Sequence, residues 1–144
     1  MYAEAVSPEN ADRSYEELYK EDSLYREKVG YGRENPAHRL PALRELHYWR
    51  KHHALHNWME MLYWSNGGTE EFNGIPVGLS LEDLEDLERD VKARKLSPVG
   101  GFFFGSTDYS EDDWDEHQRD DLEFIEKARE VINDGGKIYY DSSW

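Results

Sequence analysis

The sequence predicts an α+β fold, a mainly helical single domain with about three main helices and a small sheet of two or three strands. Three segments show apolar residues at helical spacing, and two short apolar runs beside glycines have the composition of strands. The chain has 144 residues, which suits one domain, and its five Trp, ten Tyr and five Phe supply an apolar core. A disordered acidic chain is excluded, since disorder goes with few aromatic residues.

The first 35 residues are polar and predict an N-terminal arm, which places the globular domain at residues 36–144. Within the arm, Ser14 is followed three residues later by Glu17, a spacing typical of a capping box at the start of a helix. We therefore expect a short helix over residues 14–29, which the following glycines and proline end.

The middle of the chain predicts two helices. Residues 41–64 contain no Gly and no Pro after the first position, and their wide apolar arc is typical of one long, central helix. Residues 69–79 are rich in turn formers and predict a connection with a short strand. Ser80 then begins a helix whose apolar residues recur at helical spacing, namely Leu81, Leu84, Leu87 and Val91.

The C-terminal third predicts a strand, a helix and a strand. The three phenylalanines at 102–104 form a short apolar run, which is typical of a buried strand. Ser110 begins a third main helix, which extends to about Asn133 and ends at two glycines. Residues 137–141 predict a final strand, expected beside residues 102–104.

Composition excludes several classes of function. The 32 Asp and Glu outnumber the 17 Lys and Arg, so a net charge of −15 argues against direct binding to nucleic acid or to an anionic membrane surface. The absence of cysteine excludes disulfides, thiolate metal sites and a cysteine nucleophile. The N-terminal residues do not have the pattern of a signal peptide, and no apolar run is long enough to span a membrane, which predicts a cytoplasmic protein.

One basic, histidine-rich segment lies inside this acidic chain: residues 36–62 have a net charge of +2 and five of the six histidines. On the predicted long helix, Arg50, His53 and Asn57 share one row beside Lys51, and His56 is close by. Such donors suit a small anionic ligand. The alternative is that Arg50 pairs with acids of the third main helix.

The same segment raises the question of a metal. His52 and His56 are four residues apart, and Glu60 extends that row by one turn. The spacing lacks the embedded glutamate of a metalloprotease helix, and aromatic-rich helices usually pack their histidines. We expect neither a metal nor a cofactor.

The loop after the predicted phenylalanine strand is a second candidate for ligand contact. Glycines flank it, and Ser106, Thr107 and Tyr109 present hydroxyl groups directly after the strand. The loop has neither of the glycine patterns that cradle phosphates. The alternative is a simple turn that leads into the third main helix.

The start of the third main helix is unusually acidic. Acids occupy positions 111, 112, 113, 115, 116, 120 and 121, more than the helix dipole requires. The candidate contacts for a basic partner are Asp112, Asp113, Asp115 and Glu116. The alternative is a solvated face that serves solubility.

Three motifs resemble a family of small acidic proteins encoded by tailed bacteriophages, over roughly residues 41–144. They are R-K-x-x-x-x-H-x-W from Arg50 to Trp58, G-F-F-F-G-S-T-x-Y from Gly101 to Tyr109, and the terminal S-S-W. The resemblance implies a phage protein but carries no activity. Members are sometimes labelled phosphoglycerate kinase, a label that this short chain without a nucleotide-binding glycine loop does not support.

Together these features predict a non-catalytic phage accessory protein that acts in the host cytoplasm by binding. The leading hypothesis is an inhibitor of a host protein with a basic surface, such as a defence protein, engaged through the acids of the third main helix. The alternative is a small-ligand binder, for example a sponge for a nucleotide signal, that uses the histidine-rich helix and the loop after the three phenylalanines. No nucleophile elbow or H-E-x-x-H motif indicates an enzyme. The sequence leaves the oligomeric state open.

Overall fold

A computed structural model describes residues 1–29, 42–96 and 110–142 of the chain. Within these residues, four α-helices pack against a four-stranded antiparallel sheet, which confirms the predicted α+β class. The strand order is β2-β1-β4-β3, one strand more than predicted. The elements are β1 (Tyr2–Val6), α1 (Tyr15–Val29), β2 (Leu43–Tyr48), α2 (His53–Ser65), β3 (Val77–Leu79), α3 (Leu81–Lys92), α4 (Glu111–Asn133) and β4 (Lys137–Asp141).

Strand β1 lies inside the sheet, between β2 and β4, and pairs antiparallel with both. Its Ala3 and Ala5 are 0% and 2% exposed and belong to the main core. The prediction of a separate arm over residues 1–35 is therefore wrong for this strand. Alanine is a weak strand former compared with β-branched residues, so the segment carried little strand signal.

The predicted helix over residues 41–64 is wrong in its first half, where the chain forms β2 instead. The pairing of β2 with β1 skips Leu46, which bulges out of the register. The bulge places Leu43, which packs with Leu18, and His47, which packs against Phe124, on opposite faces of the sheet, so β2 lacks the regular alternation of a strand. Pairing with β1, which is distant in sequence, overrides that local pattern.

The predicted starts of the other three helices are confirmed. At α1, the Ser14 hydroxyl accepts the Glu17 N–H at 3.2 Å. Helices α3 and α4 both begin with a full capping box, in which the serine before the helix and the aspartate at its third residue bond each other's backbone N–H. Helix α4 ends at Gly135, whose φ of 93° suits a residue without a side chain.

The sheet separates two cores. Helices α2, α3 and α4 share the larger core with one face of the sheet, to which Ala3, Ile138 and Tyr140 contribute. Helix α1 covers the other face through Leu18, which packs with Val6 and Leu43. Among the described residues, no helix has the length and apolar character needed to cross a bilayer.

The final predicted strand is confirmed as β4, but its neighbours differ from the expectation. Strand β4 pairs on one side with β1 and on the other with β3, so both of its edges are taken. The predicted strand at 102–104 lies outside the described residues.

Candidate functional site

The residues of the predicted ligand site lie in several environments. Arg50 and Lys51 are exposed in the connection between β2 and α2, where Lys51 has a φ of 54°. The predicted helical row of Arg50, His53 and Asn57 is wrong, because the helix begins only at His53. Asn57 is half-buried beside a groove between α2 and α3. Ser106, Thr107 and Tyr109 lie outside the described residues.

His56 points into the core. Its Nδ1 lies 2.9 Å from the Tyr140 hydroxyl, and its ring stacks on Phe72 with 5.0 Å between the ring centroids. Burial lowers the pKa of His56 to about 4, so the ring is neutral at pH 7. Burial also lowers the pKa of His53. Neither histidine therefore supplies a positive charge for an anionic ligand near neutral pH.

A buried polar cluster joins the segment before α2 to the middle of α4. Asp121, only 1% exposed, accepts hydrogen bonds from Trp49 Nε1 at 3.0 Å and from His52 Nε2 at 2.7 Å. His52 is fully buried and stacks on His117, with 3.9 Å between the ring centroids. Burial is the largest cause of a lowered pKa at His117, and the neighbouring His52 adds to it. The cluster therefore fixes the connection between β2 and α2 against α4.

Asp120 makes a similar contact nearer the surface, with its Oδ1 2.8 Å from His47 Nε2. The alternative prediction paired the Arg50 guanidinium with acids of this helix, but Asp120 and Asp121 contact His47, His52 and Trp49 instead. Arg50 is exposed. The position of Asp121, three residues before the buried Phe124, was the signal that this acid faces the core.

Asp121 and His52 are too deeply buried for acid–base catalysis, since a general base must reach the proton of a substrate. His52 and His56, the two histidines of the considered metal row, bond Asp121 and Tyr140 respectively. In residues 1–29, 42–96 and 110–142, no three His, Asp or Glu side chains are grouped so as to hold a metal ion. The cluster is therefore part of the fold.

The acidic surface is formed by the first two turns of α4, residues 111–116. All four predicted partner contacts, Asp112, Asp113, Asp115 and Glu116, are exposed. Backbone and hydroxyl hydrogen bonds from Ser110 lower the pKa of Asp113, which keeps this carboxylate charged. Each of the four is therefore accessible to a partner from solvent.

Two of these four acids have contacts within the chain. Asp113 completes the capping box of α4. Asp115 bonds Arg94 at the end of α3, and the same guanidinium bonds Glu111 at 2.9 Å. No ion pair or hydrogen bond of the Asp112 or Glu116 side chain is found among the described residues. Within the part of the chain that the structure describes, the negative charge of these two carboxylates is therefore not neutralised by an ion pair.

Comparisons with protein-family models, with curated proteins and with solved structures found no match for this chain. The acidic surface is the candidate functional site on three grounds that the geometry supplies. Its carboxylates are exposed, they are concentrated in two helical turns, and Asp112 and Glu116 form no hydrogen bond or ion pair with the other described residues.

Proposed function

We propose that this chain is a non-catalytic binding protein whose acidic surface docks a protein with a basic surface. The observation that carries the proposal is the exposure of Asp112 and Glu116 beside carboxylates that already cap and anchor α4. Like charges so close together repel each other, and in a chain of net charge −15 this repulsion disfavours the compact state. A basic partner would neutralise the repulsion and would be steered to the surface by the field.

The biological setting of this proposal comes from the motif resemblance to small acidic proteins of tailed bacteriophages. In that setting the chain acts in the host cytoplasm as an accessory protein that inhibits a host protein, for example one used in defence. The small-ligand alternative is not carried forward, because His56 belongs to the core and Arg50 and Lys51 do not share a helix face with His53 and Asn57.

The proposal is tested with two variants of equal charge. Asp112→Asn with Glu116→Gln removes two charges from the acidic surface and spares the contacts of Asp113 and Asp115. Glu126→Gln with Glu130→Gln removes two exposed charges from the far part of the same helix. Tagged proteins are expressed in host cells during infection, and co-purified proteins are quantified by mass spectrometry at several salt concentrations.

We expect a basic protein that the wild type and the Glu126/Glu130 variant retain, and that the Asp112/Glu116 variant loses. Its binding should weaken as salt rises, since exposed charges are screened. Equal retention by both variants, or equal loss from both, would show that the acidic surface has no specific role.

A further inference from the structure

A second feature lies on the other face of the sheet, where α1 crosses β1 and β2. An open pocket of about 340 Å³ is present there. The described residues that line it are aromatic, acidic or leucine, and none of them is basic. Its tyrosines are Tyr2, Tyr15, Tyr19 and Tyr48. Pockets of this size suit small groups, since ligand sites begin at about 300 Å³.

The tyrosines form two walls. Tyr2 and Tyr48 are directly opposite each other on the paired strands β1 and β2. Tyr15 and Tyr19 lie one turn apart on α1, and their rings stack with 6.2 Å between the centroids. Tyr19 and Tyr48 are 58% and 61% exposed, so their rings are accessible to a molecule that enters the pocket. Aromatic faces are electron-rich and attract cations.

Two glutamates between these walls supply negative charge. Glu4 and Glu45 are register partners on β1 and β2, and both line the pocket. Like charges directly opposite each other destabilise an antiparallel pair, so the sheet gains nothing from this arrangement. The amine of Met1 lies near Glu45, but burial lowers the pKa of this amine and weakens it as a counter-charge. Both carboxylates therefore add negative charge to the lining of the pocket.

The tyrosine hydroxyls keep the acidic groups in place. Tyr15 donates a hydrogen bond to Glu4 Oε1 at 2.6 Å, and both Tyr2 and Tyr15 reach Asp141 Oδ2 at 3.4 Å. Burial is the largest cause that raises the pKa of Tyr2 to about 12, so this phenol stays a neutral donor. The pocket is therefore built before any ligand arrives.

We infer that this tyrosine pocket binds an organic cation of the alkylammonium class, held by the tyrosine rings and by Glu4 and Glu45. The pocket lies on the face of the sheet opposite α4, because Tyr2 and Glu4 alternate along β1 with the core residues Ala3 and Ala5. It is therefore independent of the proposed acidic surface, and either can fail without the other. The cation can come from a lysine side chain of a protein or from a free polyamine.

The first test compares choline with its uncharged carbon isostere, 3,3-dimethylbutan-1-ol, in NMR titrations of the full chain that follow the tyrosine rings. Spermidine and N-acetyl-lysine methylamide are titrated in the same way, so that the two sources of the cation are compared directly. We expect choline to bind at least about tenfold more tightly than the isostere, since cation–π attraction requires the charge. Saturable binding of either further probe supports the inference and identifies the source.

Matched variants locate the binding. Tyr48→Ala and Glu45→Gln should each weaken choline binding by about three- to tenfold, while Tyr48→Phe, which keeps the ring, should stay within about twofold. Glu126→Gln has the same charge change as Glu45→Gln at a distant exposed position and should leave binding unchanged. Because the Tyr48 side chain is largely exposed, its removal leaves the core in place, and thermal melts confirm folding of each variant.

The inference is overturned if choline binds no more tightly than its isostere. It is equally overturned if Glu45→Gln and Glu126→Gln weaken binding to the same extent, which would indicate attraction by the net charge alone.

Discussion

At the residue scale, the buried carboxylate of Asp121 links α4 to the segment before α2 through two hydrogen bonds. Asp121→Ala leaves the N–H groups of Trp49 and His52 without their acceptor in the core. We expect the free energy of unfolding to fall by about 3 kcal/mol, typical of a broken buried pair. Asp120→Ala is the matched control, because its contact with His47 is partly exposed and should cost less than about 1 kcal/mol.

Urea denaturation of both variants measures the difference, and Asp121→Asn adds a third point. The asparagine keeps an oxygen for Trp49 but loses the charge, so its stability should lie between those of the wild type and Asp121→Ala. Equal stabilities for Asp120→Ala and Asp121→Ala would contradict the role assigned to the buried cluster.

His56 predicts how stability depends on pH. Its pKa is about 4 in the folded chain and near the ordinary value of 6.5 when unfolded, so between these values the unfolded state binds the extra proton. The stabilisation is complete above pH 6.5 and is lost as the pH falls towards 4. From pH 7 to pH 5 this residue should account for about 1–2 kcal/mol, since one pH unit corresponds to about 1.4 kcal/mol per proton.

The check is the slope of unfolding free energy against pH in the wild type and in His56→Asn. Asparagine offers an oxygen near the Nδ1 position for the Tyr140 hydroxyl and does not titrate. The variant should show a shallower slope between pH 5 and pH 6.5. His53 and His117, whose pKa values are also lowered, remain in both proteins and provide a common background.

The side-chain contacts between α4 and the residues around position 50 could not be predicted from the sequence. The alternative prediction that Arg50 pairs with acids of α4 is wrong, because the buried acid of that helix, Asp121, bonds His52 and Trp49 instead. An assignment of partners by charge favours arginine. The connection between β2 and α2 leaves Arg50 and Lys51 exposed and buries Trp49 and His52, and no local pattern shows this.

At the scale of elements, the turn between α4 and β4 is tightly packed against β1. A Cβ on Gly136 would lie 2.5 Å from the carbonyl oxygen of Val6 and 2.7 Å from Cγ1 of Val131. We expect Gly136→Ala to lower stability by about 1–3 kcal/mol, because the backbone of β1 must shift. Gly78→Ala is the control: its Cβ would meet Tyr139 at 3.6 Å, an ordinary contact, and should change stability by less than about 0.5 kcal/mol.

Thermal or urea denaturation of the two glycine variants measures this difference in stability. A Gly136→Ala protein as stable as Gly78→Ala would mean that α4 and β1 are less closely packed at this junction than the distances indicate.

Elements with their own start signals were predicted well, and elements that depend on distant pairing were not. The serine caps of α1, α3 and α4 are local, and their helices begin where the sequence places them. Strands β1 and β2 form because each pairs with the other across about forty residues of chain, and the bulge at Leu46 interrupts the alternation of buried residues that would mark β2 as a strand. Local patterns cannot report such pairing.

For the whole molecule, the net charge of −15 predicts an unusual response to salt. Raising sodium chloride from about 20 to about 200 mM screens repulsion between the exposed carboxylates and should increase the free energy of unfolding. The Asp112→Asn/Glu116→Gln variant should gain less from the same salt, since part of its repulsion is already removed. A wild type that loses stability over this range would show that its surface ion pairs outweigh the repulsion.

The fold class of the whole molecule was accessible from composition and periodicity, whereas the tyrosine pocket was not. Tyr2, Tyr15, Tyr19 and Tyr48 come from three elements, one of which was predicted as an arm and another as a helix. A site assembled across a sheet becomes visible only when the strand register is known. The acidic surface was predictable because its residues are consecutive on one helix.

The order of the strands has a consequence for synthesis of the protein. The two inner strands, β1 and β4, come from opposite ends of the described chain, with Tyr2 paired to Asp141. During synthesis, the edge of β1 that pairs with β4 stays without its partner strand until residues 137–141 have left the ribosome. Until then that edge is open to strands of other nascent chains. Ribosomes that stall before residue 137 should therefore hold a chain that chaperones bind and proteases cleave, whereas emergence of residues 137–141 should complete the sheet.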